Sequence, residues 1–581
     1  MLTQILSRWI PIIATVKSYD RNTLNSDLLA AAIVTVLLIP QSLAYALLAG
    51  LPAEVGLYAS IVPLVVYGIF GTSRTLSVGP VAVISLMSAT ALGEVTASGE
   101  VNYLSAAAAL ALLSGGILTV LGALRLGMLA NFLSHPVISG FITASVLLIA
   151  LSQLRHLLGV PASGDTAPEL AMSLWGHSHS ANGLALLTGF GVMLFLYWSR
   201  ASAANLLEII GVSSNTAGLL AKAAPVVGVL VTIGLSYWMG FEGRQVPLVG
   251  AIPSGLPPLT MPELSLPLLE TLLMPALMIA IIGYVESVSV AKTLAAKRRQ
   301  RIDSNQELLA LGMANIGSGL SGAFPVSGGF SRSVVNDAAG AQTQLASLFT
   351  AVGIALAALF LTPFLYYLPK ATLAATIIVA VLSLVDFSIL RKTWHFAKAD
   401  FLAVTLTIAV TLLFGVEPGV ACGVGASLLL FIYRASKPHI AEVGLVEGTE
   451  HFRNILRHKV KTVPEILTFR VDGRLIFSNI GVLEERIYAG LATNPKVKHV
   501  ILMCSAVNEI DWSALEVLES INSNLLDRGI QLHLSEVKGP VMDCLERSSF
   551  LQKLSGDVYL SQYQAFSAVQ MNEGKVTELI F

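Results

Sequence analysis

The sequence predicts a multi-pass α-helical membrane protein with a small cytoplasmic α/β domain at its C-terminal end. Three observations predict it. Hydrophobic residues make up 54% of the 581 residues and charged residues only 12%, where a soluble domain carries about 25% charged residues. Apolar runs repeat with short interruptions from about Ser26 to about Tyr433. From Arg434 onward charge returns, and short strand-like segments alternate with helical ones. The chain therefore divides into a cytoplasmic N-terminal segment (1–25), a transmembrane domain (26–433), a linker (434–461) and an α/β domain (462–575).

A span needs about 20 apolar residues, or fewer where neighbours bury it or the helix is broken. Clear candidates are Asp27–Leu47, Gly56–Phe70, Leu104–Leu124, Ile138–Leu158, Gly183–Trp198 and Ala223–Met239. The series continues with Leu268–Leu294, Gln344–Leu361, Ala371–Val385, Phe401–Phe414 and Val420–Tyr433. Val78–Leu92, Leu308–Leu320 and Gly329–Ala339 are shorter or interrupted, and bring the set to about fourteen spans. Met1–Ser26 mixes apolar residues with Arg8, Lys17, Asp20 and Arg21 and lacks a cleavage site, so it reads as a lead-in, with Met1–Val16 a candidate interfacial helix.

Basic residues give the orientation. Lys297, Arg298, Arg299 and Arg301 cluster in one loop, Arg391, Lys392 and Lys398 in another, and Arg434 and Lys437 follow the last span. The opposite loops, Gly159–Ala181 and Phe241–Glu270, contain only Arg244. The positive-inside rule then places both termini in the cytoplasm of a cell (inner) membrane, with Arg155 and Lys370 against the bias. A net charge of −1 gives no nucleic-acid footprint. Cys422, Cys504 and Cys544 form neither a disulfide framework nor a metal pair. No nucleophile elbow, P-loop or cofactor motif points to an enzyme.

The most informative stretch is Phe324–Asn336, where an arginine, three serines and a Gly-Gly pair interrupt an apolar region. A charge at membrane depth costs about 2.5–3.5 kcal/mol on insertion scales and is usually retained for function. The neighbouring Gly and Pro predict a helix that starts partway through the membrane. Such a start exposes backbone N–H groups and a positive dipole end, which suit an anion. Ser77-Val78-Gly79-Pro80-Val81-Ala82 opens a similarly short segment in the first half, and Ser327 to Arg332 opens the second. Paired broken helices in corresponding positions point to a midplane site between inverted repeats. Arg332 adds a charge and a planar donor fork suited to oxyanions. Glu286 lies too deep to reach the cytoplasmic edge, so it must be paired or protonated, and Arg332 is its simplest partner. Gln41 and Tyr45 stand one turn apart on one helix face and could close over a ligand or bond between helices. His135 reads as a helix-start residue, and Asp303 and Asp337 as caps.

At these residues the chain resembles the SulP family of anion permeases, also called solute carrier family 26. Leu38-Ile39-Pro40-Gln41-Ser42-Leu43-Ala44-Tyr45 with Gly56-Leu57-Tyr58 resembles its first-span signature. Phe132 to Phe141, Ser152 to Gly159, and Gly322 to Ser333 resemble the signatures of its fifth and tenth spans. The resemblance implies seven plus seven spans in an inverted repeat, as in uracil permeases, with a core domain moving against a gate domain like an elevator. It also implies a homodimer, and an anion held between the third and tenth spans. The site residues it implies are Val78, Gly79, Val81, Ala82, Phe330, Ser331 and Arg332, with Gln41 and Tyr45 alongside. Glu286 resembles the acidic residue of proton-coupled sulfate members.

In the tail, Glu465–Val471, Arg474–Phe477, Val497–Cys504 and Ile530–Glu536 read as strands. Gly481–Leu491, Ser513–Arg528 and Val541–Arg547 read as helices. Ile501 to Asp511 resembles the segment before the signature loop of a STAS domain, although Trp512 stands where anti-sigma-factor antagonists carry a phosphorylatable serine. The expected role of this domain is packing, dimer contact and binding of a cytoplasmic regulatory partner. The functional expectation is sulfate:proton symport. Bicarbonate or dicarboxylate transport, a passive anion channel and a membrane-tethered signalling module stand as alternatives.

Overall fold

The computed structural model describes residues 9–17, 19–96, 102–128, 134–211, 213, 217, 218, 221 and 223–578. Met1–Arg8 of the expected interfacial helix and Phe132-Leu133 of the fifth-span signature lie outside the described residues. The chain forms two compact units, Met1–Leu428 and Leu429–Phe581.

Among the described residues of the chain, seven helices are long and apolar enough to cross a membrane: Arg21–Leu48, Ala53–Phe70, Tyr103–Ala123, His135–Leu158, Gly183–Ile209, Leu266–Lys297 and Val416–Ser436. Four shorter apolar helices join them: Ala82–Gly93, Ala224–Met239, Leu345–Phe360 and Lys370–Leu382. With Ser304–Leu320, Phe330–Ala338 and Lys398–Phe414, they match the expected spans one for one. Capping fixes several of their starts. Asp20 accepts from Thr23 N at 2.8 Å, Ser134 from Val137 N at 3.4 Å, and Asp303 from Asn305 N at 2.9 Å.

The helices pack as two bundles. The first holds Arg21–Leu48, Ala53–Phe70, Ala82–Thr96 and Tyr103–Ala123 with Leu266–Lys297, Ser304–Leu320, Phe330–Ala338 and Leu345–Phe360. The second holds His135–Leu158, Gly183–Trp198 and Ala224–Met239 with Lys370–Leu382 and Lys398–Phe414. Val416–Ser436 lies against this second bundle at Gly419 and Gly423. Each bundle thus takes the same serial positions from both halves of the chain, as the expected inverted repeat requires.

Asp337 departs from its expected role as a cap. It lies near the C-terminal end of Phe330–Ala338, where the helix dipole disfavours a negative charge. Lys297 Nζ at 3.2 Å and Arg298 Nε at 2.5 Å neutralise it.

Among the described residues the first unit holds two two-residue strands, β1 Val78–Gly79 and β2 Ser327–Gly328, and the second contains a six-stranded sheet in the spatial order Phe452–Asn454, His439–Leu445, Ile466–Asp472, His499–Met503, Gln531–Ser535, Val558–Tyr559. Its strands are β3 His439–Leu445, β4 Phe452–Asn454, β5 Ile466–Asp472, β6 His499–Met503, β7 Gln531–Ser535 and β8 Val558–Tyr559. β5 to β8 run parallel, and β3 runs antiparallel to β5 and β4. Helices Ile480–Thr493, Trp512–Leu526 and Gly539–Glu546 cover it with a core that includes Leu483, Ile487, Leu518 and Leu525. Two expectations need correction. Arg474–Phe477 is not a strand, because only Leu475 bridges, to Ile510. Within the expected linker, β3 and β4 are integral parts of the sheet.

Candidate functional site

Two breaks in helical structure meet inside the first bundle. β1 (Val78–Gly79) and β2 (Ser327–Gly328) pair antiparallel, Val78 opposite Gly328 and Gly79 opposite Ser327. Each tiny strand leads into a helix, Ala82–Thr96 and Phe330–Ala338. The first backbone bonds closing these helices are Ser85 N–H to Val81 O, 2.8 Å, and Ser333 N–H to Gly329 O, 3.1 Å. The preceding amides have no intrahelical acceptor, so each start presents free N–H groups and a positive dipole end.

The ladder is short, and its surroundings complete its bonding. Gly328 N–H donates to Ser287 Oγ at 2.8 Å, and Ser77 N–H to Ser333 Oγ at 3.0 Å. Asn315 bonds both the N–H and the C=O of Val326, at 2.9 and 3.0 Å. Irregular backbone at membrane depth is tolerated when protein groups satisfy it in this way.

Arg332 is the centre of this bracing. Its side chain is buried, 3% exposed. Nε donates to Ser77 O at 2.8 Å, Nη1 to Pro80 O at 2.9 Å, and Nη2 to Gly79 O and Ser327 O, both at 2.7 Å. Four of the five guanidinium N–H groups are thereby used on backbone carbonyls. A Cβ at Gly79 would lie 2.9 Å from Nη1, and one at Gly329 2.7 Å from Nε, so both positions need glycine. This corrects two expectations. Arg332 does not offer its fork to a ligand, and it does not pair with Glu286. The unwound carbonyls, beyond the reach of water, take its donors instead. Glu286 is half-buried on Leu266–Lys297, and its Oε2 is enclosed without a hydrogen-bond partner. Its neighbour Ser287 touches the ladder directly, with Oγ 3.0 Å from Ser327 Oγ.

A cavity of about 460 Å³ opens where the two bundles face each other. The first bundle contributes Gln41, Tyr45, Phe330 and Ser331, and the second contributes Ser199, Arg200, Thr376 and Ser383. Pro40, inside its helix, also lines it and breaks the helical bonding just before Gln41. Phe330 and Ser331 are exposed, so the start of Phe330–Ala338 reaches this space. Val78, Gly79, Val81 and Ala82 do not line it. Val78 and Gly79 are buried in the ladder, and Ala82 is 4% exposed beneath the Leu37–Leu38 cluster. The structure thus brings Gln41, Tyr45, Phe330 and Ser331 together in the cavity, and places Arg332 and the first helix start behind them.

Arg200 is the charged lining residue that sequence reasoning missed, as it missed Ser199, Thr376 and Ser383. A span ending at Trp198 makes Arg200 look like a loop residue. Instead a π-helical turn, Ser199–Ala203, carries the helix on to Ile209. An arginine inside an otherwise apolar run was the available signal.

In the second unit, Asp511 caps Trp512–Leu526 through Ala514 N at 2.8 Å and accepts Phe477 N, also at 2.8 Å. Trp512 is 70% exposed, and its Nε1 donates to Glu516 at 2.9 Å.

Residues 24–407 match the family model described as "Sulfate permease family", and residues 457–565 match that of the STAS domain. The chain is 38% identical over 540 residues to "Sulfate transporter 4.1, chloroplastic" of Arabidopsis thaliana, spanning 90% of this chain and 77% of the relative. It is 33% identical over 559 residues to a probable sulfate transporter of Mycobacterium tuberculosis, spanning 96% and 97%. A solved structure of SLC26A9 superposes with a TM-score of 0.90 at 23% identity, covering 99% of this chain and 95% of that one. At that identity the likeness is one of fold.

Proposed function

Because this chain belongs to the sulfate permease family, we propose that it is a secondary active anion transporter working by sulfate:proton symport. The observation that carries the reading is the pair of helix starts, joined by the β1–β2 ladder, beside an inter-bundle cavity. The substrate reaches Ser331 and the free amides of Phe330–Ala338, between Gln41 and Tyr45. Each helix end contributes about 0.3–1 kcal/mol, up to about 2 when partly buried. Arg332 holds Val78–Ala82 against Phe330–Arg332 and supplies a fixed positive charge behind the anion. It acts through the backbone amides and not as a fork on the substrate.

Glu286 is the proton-coupling group in this reading. A dianion entering beside an ionised carboxylate meets repulsion that water screens poorly in an apolar layer. A proton on Glu286 removes that charge, so the loaded site carries one negative charge fewer across the membrane. The hydrogen bonds of its sequence neighbour Ser287 to the ladder support this reading. Sliding of one bundle past the other would then expose the site alternately, as in an elevator. With both termini cytoplasmic, the described cavity faces inward, on the side of the Lys297–Arg301 and Arg391–Lys398 loops. We further propose a homodimer in the cell membrane, with the STAS domain serving packing and a regulatory partner.

The test is labelled sulfate uptake into liposomes holding the full chain. Accumulation driven by an inward proton gradient is expected. Glu286→Gln is expected to retain exchange while losing gradient-driven accumulation and its pH dependence. Wild-type sulfate conductance without accumulation would point to a channel. Absence of sulfate flux with flux of bicarbonate or a dicarboxylate would change the substrate and leave the anion site in place.

A further inference from the structure

We infer that Arg200 is an anion-contacting residue supplied by the second bundle, and that it sets a different substrate affinity on the two faces of the membrane. The inference rests on the transport reading above and extends it to a residue outside the half-helix pair.

Four observations support it. Arg200 lines the same cavity as Gln41, Tyr45, Phe330 and Ser331, but from the opposite bundle. Its side chain is exposed, and among the described residues it has no hydrogen-bond or ion-pair partner. The other arginine of the site has spent four of its N–H groups on carbonyls, so Arg200 is the guanidinium with its donor fork available to the cavity. It also sits in a π-helical turn, Ser199–Ala203, between Trp198 and Ala204. Such turns in α-helices recur at functional sites, because the added residue re-aims the side chains around it. A planar fork suits a tetrahedral or carboxylate oxyanion, and one charge-assisted bond to it is worth about tenfold or more in affinity.

The consequence follows from which bundle carries the charge. Ser331 and the helix starts stay with the anion through a sliding motion. Arg200 belongs to the other bundle, so it touches the anion only while the cavity is open as described. Movement of the first bundle strips the anion from Arg200. The opposite face then presents a site without this cation. An arginine held at this depth for lipid headgroups would be the competing explanation, and it predicts no substrate effect on one face alone.

The experiment uses the full chain in oriented liposomes, with orientation scored by protease access to the C-terminal unit. Half-saturation for labelled sulfate exchange is measured from each face for wild type, Arg200→Gln and Arg200→Lys. Arg200→Gln is expected to raise half-saturation about tenfold on the cavity face and leave the other face unchanged. Arg200→Lys is expected to recover part of that loss. The final accumulation ratio must stay the same, because gradients alone fix it. Equal changes on both faces, or none, would overturn the inference while wild-type transport stands. Absence of wild-type sulfate exchange would instead overturn the sulfate reading. In that case equilibrium binding of labelled sulfate to the detergent-purified proteins decides on Arg200: tighter wild-type binding supports it, and equal or absent binding removes it. A melting curve for each variant separates these outcomes from misfolding.

Discussion

At Arg332 a full positive charge is held inside an apolar layer by carbonyls of two chain segments. The geometry distinguishes charge from shape. A lysine keeps the charge but donates from a single point, and cannot reach Ser77 O and Pro80 O together with the Gly79 and Ser327 carbonyls that Nη2 alone bridges. Each carbonyl left buried without a donor costs about 1–3 kcal/mol. Arg332→Lys is therefore expected to lower sulfate uptake at least about tenfold and to lower the melting temperature, with Arg332→Gln lower still. Wild-type uptake by the lysine variant would show that charge alone suffices. The sequence marked Arg332 and Glu286 as unusual, because a charge in an apolar run is visible in any register. It did not show what they touch. The partners of Arg332 are main-chain oxygens, which every residue carries and no motif records. The Glu286–Arg332 pair was the natural inference from two opposite charges, and the unwound backbone competed for the guanidinium and won it.

At the scale of elements, close helix contact is set by glycine. A Cβ at Gly115 would lie 2.7 Å from Gly312 O and Ile316 N, so Tyr103–Ala123 and Ser304–Leu320 meet backbone to backbone. Gly116, next in sequence, would meet nothing within 4 Å. Gly115→Val is expected to lower thermal stability in detergent markedly, and Gly116→Val to leave it nearly unchanged. The sheet of the second unit carries a pH-dependent contact. His533 Nδ1 accepts Asp557 N–H at 3.0 Å, and its Nε2 lies 3.2 Å from His499 Nδ1. Burial first, then His499, pushes the His533 imidazole down to about 4 from its ordinary 6.5. The unfolded chain therefore binds this proton more readily than the folded one. The stability contribution is complete above about pH 6.5 and is lost as pH falls toward about 4. Protection of the β6 and β7 amides in the full chain, taken relative to their intrinsic exchange rates, should fall as pH drops through that window, and His533→Gln should flatten the dependence. The spans and main strands were legible from periodicity and breaker residues, with Met239 and Phe414 ending helices as read. β3 and β4 were missed because they follow a composition break and Pro438, which look like a linker. β8 has only two residues and little pattern to read.

At the scale of the whole molecule, the paired bundles explain why the inverted repeat could be read from two short polar segments alone. The position of the cavity could not, since residues from both bundles and a π-helical turn meet there only after packing. The arrangement also predicts complementation. A chain cut in the Phe241–Ser265 connection and expressed as two pieces should regain sulfate uptake when both are present. Either half alone should show none, and uptake by a single half would refute the shared site.

The two-residue ladder also bears on how the protein is made. Val78 and Gly328 are about 250 residues apart in sequence, a non-local pairing of the kind that forms late. At about 5–20 residues per second of synthesis, β1 waits roughly 12–50 s in the membrane before β2 and Arg332 emerge. During that interval the carbonyls of Ser77, Gly79 and Pro80 lack the donors they have in the finished protein. The nascent first half is thus expected to be more open to quality-control proteolysis until the second half arrives. Substitutions that weaken the clamp should reduce protein abundance before they reduce transport per molecule.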